Sequence, residues 1–194
     1  HHVGGVPREL VASVPLATGN PTPFQVALRQ FPPITGFQPE VRALLVDGDR
    51  LYVGGIYDHV GDTERQGLIA VDRRTGALAE WDPRLRGGGI PGFCGVLGLR
   101  EHSLYVGGAF LSLGNETRVG LAGAVDTRTG VRLPWSFSPN HLVQTYAIAN
   151  DQVYVGGSFT GAGEPVPRAG LAAFNLTTGE LQPWSPIANG ETFS

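Results

Sequence analysis

The sequence predicts an all-β protein built from a repeated four-stranded unit. Three observations predict it: a Val-Gly-Gly motif that recurs within a longer pattern, a Thr-Gly turn at a fixed place after each copy, and the lack of any long stretch with helical periodicity. The 194 residues include 29 Gly and 15 Pro, and 41% are apolar, a composition that suits short strands joined by turns.

The repeat is most visible in the three copies of Tyr-Val-Gly-Gly, which recur about every 50 residues and are each followed by an aromatic residue. The glycine pairs are Gly54-Gly55, Gly107-Gly108 and Gly156-Gly157. Glycine inside a strand allows another backbone to approach closely. We therefore expect these pairs where strands crowd together near a common axis.

An arginine, an apolar strand, a Thr-Gly turn and a tryptophan follow each glycine pair in the same order. The recurring arginines are Arg65, Arg118 and Arg168, and the recurring tryptophans are Trp81, Trp135 and Trp184. A charge that recurs once per unit is predicted to be structural, pairing with a carboxylate or with backbone carbonyls. The alternative is a ring of guanidinium groups around one mouth of a channel, which would select anions. The aromatic rings are predicted to pack between neighbouring units.

Each unit is predicted to contain four short strands. In the first complete unit they cover residues 41–46, 51–57, 67–72 and 77–81, and Asp47-Gly48-Asp49 is predicted to form a tight hairpin turn. A degenerate N-terminal copy is predicted from Val3-Gly4-Gly5, aligned with the glycine motif. The predicted divisions are a partial unit and linker at 1–40, units at 41–94, 95–142 and 143–186, and a segment at 187–194 that is either a tail or the start of the next unit.

Four strands per repeat with a period of about 50 residues are typical of a β-propeller in which each repeat forms a blade. The chain would hold about 3¾ blades. Because both ends fall within a unit, we expect a segment of a larger propeller. Closure of a four-bladed ring by the tail and association of two copies are the alternatives.

The order of these motifs, from residue 3 to residue 186, resembles the secreted bacterial β-propeller repeats of the delta-sixty type, and more distantly Kelch blades and fungal cortical-marker propellers. The resemblance implies an extracellular, cell-surface or periplasmic protein whose propeller is a display or interaction module. It implies no shared catalytic residues.

The variable loop at residues 58–64 carries the candidate metal ligands Asp58, Asp62 and Glu64. Their spacing departs from the EF-hand pattern, and the equivalent loops lack these carboxylates, so a solvated hairpin is the preferred interpretation. We predict that this loop and the loops at 111–117 and 160–167 form one binding face. The residues predicted for this face are Asp58, His59, Asp62, Asn115, Glu116 and Glu164.

Composition and motifs exclude several classes of function. The net charge of −3 leaves no basic footprint for nucleic acid, and no apolar run is long enough to span a membrane. The single cysteine, Cys94, cannot form an internal disulfide and is predicted to be buried. No nucleophile or phosphate-binding motif is found, and no cofactor is predicted. Asn115 and Asn175 lie in N-glycosylation sequons.

The function predicted from these observations is that of a non-enzymatic, exported interaction or scaffold module. Its partners would be other blades, or a protein that covers the open blade faces, with a glycan as a further ligand class. The alternatives are a structural accessory subunit of a larger assembly and a fragment of a propeller enzyme, quinoprotein-like or glycan-processing, with its active site in other blades.

Overall fold

The computed structural model describes residues 2–30, 38–88, 92–135, 137–162, 167–184 and 186, with residues 117–120 described by their backbone alone. The described residues contain no helix and form several antiparallel sheets, which confirms the all-β prediction. None of them therefore lies in a helix that is long and apolar enough to cross a membrane. In chain order the strands are β1 (His2–Val3), β2 (Val6–Pro7), β3 (Leu28–Arg29), β4 (Glu40–Asp47), β5 (Arg50–Ile56), β6 (His59–Val60), β7 (Thr63–Glu64), β8 (Leu68–Asp72), β9 (Phe93–Arg100), β10 (Ser103–Leu113), β11 (Glu116–Asp126), β12 (Val143–Ala149), β13 (Gln152–Gly157) and β14 (Leu171–Asn175).

The three complete repeats share one strand arrangement. Unit 1 contains β4, β5 and β8, unit 2 contains β9, β10 and β11, and unit 3 contains β12, β13 and β14. In each unit the middle strand pairs with both of its neighbours. The predicted fourth strand makes a single bridge to the third strand in every unit, and these bridges are Leu78–Val71, Arg132–Val125 and Leu181–Phe174.

The N-terminal copy aligns differently from the prediction, because Val3-Gly4-Gly5 does not occupy a glycine-motif strand. Gly4 and Gly5 have φ angles of +56° and +76° and form the turn between β1 and β2. Gly61, with φ of +57°, has the same place between β6 and β7. The hairpin at the N-terminus therefore matches the hairpin that follows β5, and residues 2–29 match residues 59–86. Residues 2–30, here called the half-unit, correspond to the second half of a repeat.

The second glycine of each motif lies where the first strand of the same unit leaves no room for a side chain. A Cβ atom would stand 2.0 Å from the Glu40 carbonyl oxygen at Gly55, and 2.0 Å from that of Phe93 at Gly108. At Gly157 the same gap, to Leu142, is 2.2 Å. The pairing of the first two strands shifts register beside this glycine in all three units, which brings the carbonyl over it.

The hydrophobic cores lie between consecutive units. Successive residues of a strand point to opposite faces of the sheet, so units 1 and 2 each contribute one face to the unit before and one to the unit after. The first cluster joins the half-unit to unit 1 through Val11, Phe24, Val26, Leu28, Val53, Tyr57, Ile69 and Val71. The second joins units 1 and 2 through Tyr52, Leu68, Ala70, Trp81, Leu85, Cys94, Leu104, Val106, Phe110, Leu113 and Val125. The third joins units 2 and 3 through Tyr105, Ala122, Ala124, Trp135, Phe137, Val143, Val153, Val155, Phe159, Ala162, Ala172 and Phe174.

Candidate functional site

Each variable loop is held by the linker that leads into its own unit. The Asp58 amide donates to the Arg29 carbonyl at 3.0 Å, and the Leu111 amide donates to the Arg86 carbonyl at 2.8 Å. In unit 3 the Thr160 amide donates to the Asn140 side-chain oxygen at 2.9 Å. All three loops follow the middle strand of a unit, and each lies beside its linker at the same end of the unit. We call the surface formed by the three loops and their linkers the loop edge.

The loop at residues 58–64 is a hairpin whose base is buried and whose tip is exposed. Asp58 is only 6% exposed, and its carboxylate lies 2.7 Å from the His59 imidazole. Asp62 and Glu64 lie at the exposed tip. Within the described ranges, no three His, Cys, Asp or Glu side chains are grouped so that they could hold a metal ion. The structure therefore does not bring Asp58, Asp62 and Glu64 together as a metal site.

The second loop presents an amide and a carboxylate at its tip. Asn115 and Glu116 are both exposed, and the Asn115 side-chain oxygen accepts a hydrogen bond from Arg84 at 2.7 Å. The Glu116 carboxylate forms an ion pair with Arg132. Glu164, predicted for the third loop, lies outside the described residues.

Alternating charges connect the first loop to the linker that follows unit 1. The Arg86 guanidinium lies 3.5 Å from Asp82 and 3.8 Å from Glu64, and the Arg65 guanidinium lies 3.6 Å from Asp82. Partly exposed pairs of this kind stabilise a fold by about 0–1 kcal/mol each. Their effect here is to orient the linker at Asp82 relative to the first loop.

The recurring arginines donate to backbone carbonyls. Arg168 donates to the Pro167 and Gln182 carbonyls, at 3.0 Å each, and Arg8 donates in the same way to the Pro7 and Thr22 carbonyls. Arg65 donates to the carbonyl of Glu64. The side chain of Arg118 lies outside the described part. In the half-unit and unit 3, these contacts tie the loop to the segment that follows the Thr-Gly turn.

The recurring tryptophans each meet the tyrosine of their own glycine motif edge to face. The ring centroids are 5.2 Å apart in all three pairs, which are Tyr52–Trp81, Tyr105–Trp135 and Tyr154–Trp184. The Trp81 indole also donates to the Asp126 carbonyl of the next unit at 3.1 Å. Trp81 and Trp135 are 6% and 7% exposed, whereas Trp184 is 42% exposed. The first two pairs are covered by the following unit, whereas no described residue belongs to a unit that covers the third.

One recurring group was missed by the sequence reasoning. An Asp or Asn three residues before each turn threonine accepts hydrogen bonds from the turn amides, and the three acceptors are Asp72, Asp126 and Asn175. The recurrence of these residues ahead of Thr-Gly is visible in the sequence and could have predicted the cap. The sequon residue Asn175 is one of these caps.

Buried groups with shifted pKa values lie in the cores. Desolvation raises the pKa of the Cys94 thiol to about 12 and raises the pKa of Tyr57 and Tyr146 well above the usual value.

At Asp126, burial acts to raise the pKa, but hydrogen bonds from the Arg128 side chain and from the Thr129 and Arg128 amides outweigh it. They lower the pKa of Asp126 to about 2.

The Asp126 cap predicts a pH dependence of stability. Because the folded-state pKa of about 2 is below the unfolded value, the charged cap stabilises the fold above about pH 4, and this contribution is lost as the pH falls toward 2. Relative to the Asp126→Asn variant, the parent should lose about 1–2 kcal/mol over this range, allowing for solvent screening. Urea denaturation at several pH values measures the difference. The reverse change, Asn175→Asp, should add a similar pH dependence, and parallel curves for parent and variants would contradict the assignment.

Comparisons with known proteins identify no family for this chain. No protein-family model matches the chain, and no curated protein sequence matches it. Among solved structures it is similar to the computationally designed Ika8 protein, with 13% identity and a TM-score of 0.38. The match covers 76% of this chain and 49% of that protein, so it spans about half the length of the designed chain.

Proposed function

We propose that the chain is a segment of an exported β-propeller that acts as a non-enzymatic interaction or scaffold module, with the loop edge as its contact surface. One observation carries the proposal. The recurring residues contact one another or the backbone, whereas the exposed tips of the loops differ from unit to unit. Binding residues are commonly placed on variable loops held by a rigid scaffold.

The stacking of the units supports the propeller part of the proposal. Units 1 and 2 each pack through one face on the unit before and through the other on the unit after, and unit 3 packs on unit 2. Propellers consist of repeated sheets of this kind, in which each blade shares cores with its neighbours. A propeller would bring the loop edges of all blades to one side of the molecule.

The chemistry of the loop tips favours a polypeptide partner with basic or amide groups. Asp62, Asn115 and Glu116 are exposed, and their carboxylate and amide oxygens have lone pairs left, beyond those used by Arg84 and Arg132, that accept hydrogen bonds from such groups. Because Asp58 is buried, it does not belong to the exposed part of this surface.

Binding selections can test the loop edge without a known partner. A displayed random-peptide library is selected on the parent chain, and enriched peptides are measured against Asp62→Ala/Asn115→Ala/Glu116→Ala. We expect their affinity to fall by at least about tenfold, or about 1.4 kcal/mol. The matched control is Asp49→Ala/Glu101→Ala/Asp151→Ala, at exposed turns on the opposite edge of the units.

The control should bind the selected peptides as the parent does, and both triple variants should lose similar, small amounts of stability, since the exposed polar pairs they remove contribute about 0–1 kcal/mol each. Peptides that bind the loop variant as tightly as the parent would contradict the proposal. Selective binding to a glycan array that the loop variant retains would also contradict it.

A further inference from the structure

A polar cleft lies between units 1 and 2, where the linker after unit 1 meets the Thr-Gly turn and the loop tip of unit 2. Its volume is about 420 Å³, which is within the range of small-molecule sites. Buried residues form the floor, and they are Trp81, Gly114 and Gly130. Exposed residues form the rim, and they are Glu80, Arg84, Asn115, Arg128, Thr129 and Val131. Both units that form the cleft are complete repeats.

The rim carries a carboxylate that the other copies of the repeat lack. The residue directly before the recurring aromatic is Glu80 in unit 1, and it is Pro23, Pro134 or Pro183 in the other copies. Glu80 is exposed, and among the described residues its carboxylate has neither a hydrogen-bond donor nor an ion-pair partner. The repeat folds without this charge, so the carboxylate is available to a ligand.

The rim also carries a guanidinium that is held in place by the next unit. Arg84 has a φ angle of +49°, a left-handed conformation that residues other than glycine rarely adopt and that is often found at functional sites. Its guanidinium donates to the Asn115 side-chain oxygen at 2.7 Å. Within the described chain this guanidinium forms no ion pair, and the equivalent residue of the half-unit is Ala27. Its other N–H groups are therefore available as well.

The charges that line the cleft balance. They are the carboxylates of Glu80 and Asp82 and the guanidinium groups of Arg84 and Arg128. Asp82 and Arg128 are already paired with charged groups outside the cleft. The cleft therefore favours neither an anion nor a cation, and it offers a free acceptor at Glu80 beside free donors at Arg84.

Neutral saccharides match this arrangement. A hydroxyl group both donates and accepts hydrogen bonds, so neighbouring hydroxyls of a sugar ring can bind a carboxylate and a guanidinium at the same time. The C–H face of the ring is apolar. Val131, which is 53% exposed on the rim, supplies an apolar contact for it.

We propose that this cleft binds a neutral saccharide. Glu80 accepts from one ring hydroxyl, Arg84 donates to a neighbouring hydroxyl, and Val131 contacts the C–H face of the ring. Asn115 keeps Arg84 in position. The proposal does not depend on the peptide-binding role proposed for the loop edge, although Asn115 lies on both surfaces.

An array of neutral, sulfated and sialylated oligosaccharides is the probe. The chain is produced in a bacterial host without N-glycosylation, so that the Asn115 sequon carries no glycan of its own. Neutral saccharides that bind are titrated by calorimetry against the parent and Glu80→Pro/Arg84→Ala, which installs residues found at the equivalent positions. We expect the affinity of the variant to be at least about tenfold lower. Bound saccharide should also slow amide hydrogen exchange at residues 128–131 of the parent.

Two controls should bind the saccharide as the parent does. Arg100→Ala/Glu101→Ala removes one charge of each sign from an exposed turn outside the cleft. Asp62→Ala changes the loop edge alone, so this proposal and that of the loop edge can fail separately. Glu80→Ala/Arg84→Ala repeats the comparison without an added proline, and thermal unfolding shows whether each variant is folded.

Several results would overturn the proposal. They are the absence of binding to every neutral saccharide on the array, a preference for sulfated or sialylated saccharides, and equal binding by the parent and the folded cleft variants. Peptides that bind the parent and lose affinity for the cleft variants, with no saccharide bound, would assign the cleft to a polypeptide instead.

Discussion

Replacing Gly108 with alanine is expected to lower the free energy of unfolding by about 3 kcal/mol or more. The new Cβ would stand 2.0 Å from the Phe93 carbonyl oxygen, so the backbone of β9 or β10 must shift. A shift there disturbs the cores on both sides of unit 2, since β10 contributes Leu104 to one and Tyr105 to the other. Urea denaturation of the purified variant measures the loss.

Gly95→Ala is the matched control in the neighbouring strand. A Cβ at Gly95 would meet its closest neighbour, the Phe93 ring, at 3.6 Å, which is an ordinary contact. This variant should stay within about 0.5 kcal/mol of the parent. A small effect of Gly108→Ala would show that the strands relax at this position, and that the recurring glycine is not required by steric crowding.

Trp81→Ala is expected to cost about 3–5 kcal/mol, because the side chain fills the core between units 1 and 2. The variant also removes the hydrogen bond from the indole to the Asp126 carbonyl. The equivalent change in unit 3, Trp184→Ala, should cost about half as much or less, since 42% of this side chain is exposed. Thermal and urea unfolding of both variants gives the comparison.

The comparison of the two tryptophans also reports on the open face of unit 3. Both occupy the same position of the repeat and contact their tyrosines at 5.2 Å. The difference between them therefore measures the burial supplied by the following unit. Equal losses for Trp81→Ala and Trp184→Ala would mean that something covers Trp184 in solution.

The strands of the complete units could be predicted because their motifs and turn residues recur. The strands predicted at residues 41–46 and 51–57 are observed at Glu40–Asp47 and Arg50–Ile56. The predicted fourth strand was less accurate, since only Leu78 forms a bridge in unit 1. Short segments that pair on one side gain few hydrogen bonds, and sequence patterns do not reveal that limit.

The N-terminal alignment failed because Val-Gly-Gly occurs in two structural settings. In β5 the glycines lie in an extended strand, whereas Gly4 and Gly5 adopt the positive φ angles of a hairpin turn. Requiring one constant sequence offset between the N-terminal copy and unit 1 would have distinguished the two alignments. The spacing from Phe24 to Trp81 and the spacing from Arg8 to Arg65 are the same, and they place His2 opposite His59.

The contacts of the loop edge could be predicted only in part. The loops were recognised from their variable sequences, and Asp62, Asn115 and Glu116 are exposed there. The burial of Asp58 was not foreseen, because it depends on the pairing of the loop with the linker at Arg29. Such pairing joins segments distant in sequence, and no local pattern reports it.

The placement of the cores between units has a consequence for how such a chain changes its length. A single unit has two half-cores and no complete one, so the smallest cooperative element is a pair of neighbours. After duplication or deletion of a whole repeat, the sheet face that packs on the following unit still meets the face that packs on the preceding unit. Recombination between repeats can therefore add or remove units without requiring a new hydrophobic core. Each copy can then diverge in the sequences of its loops.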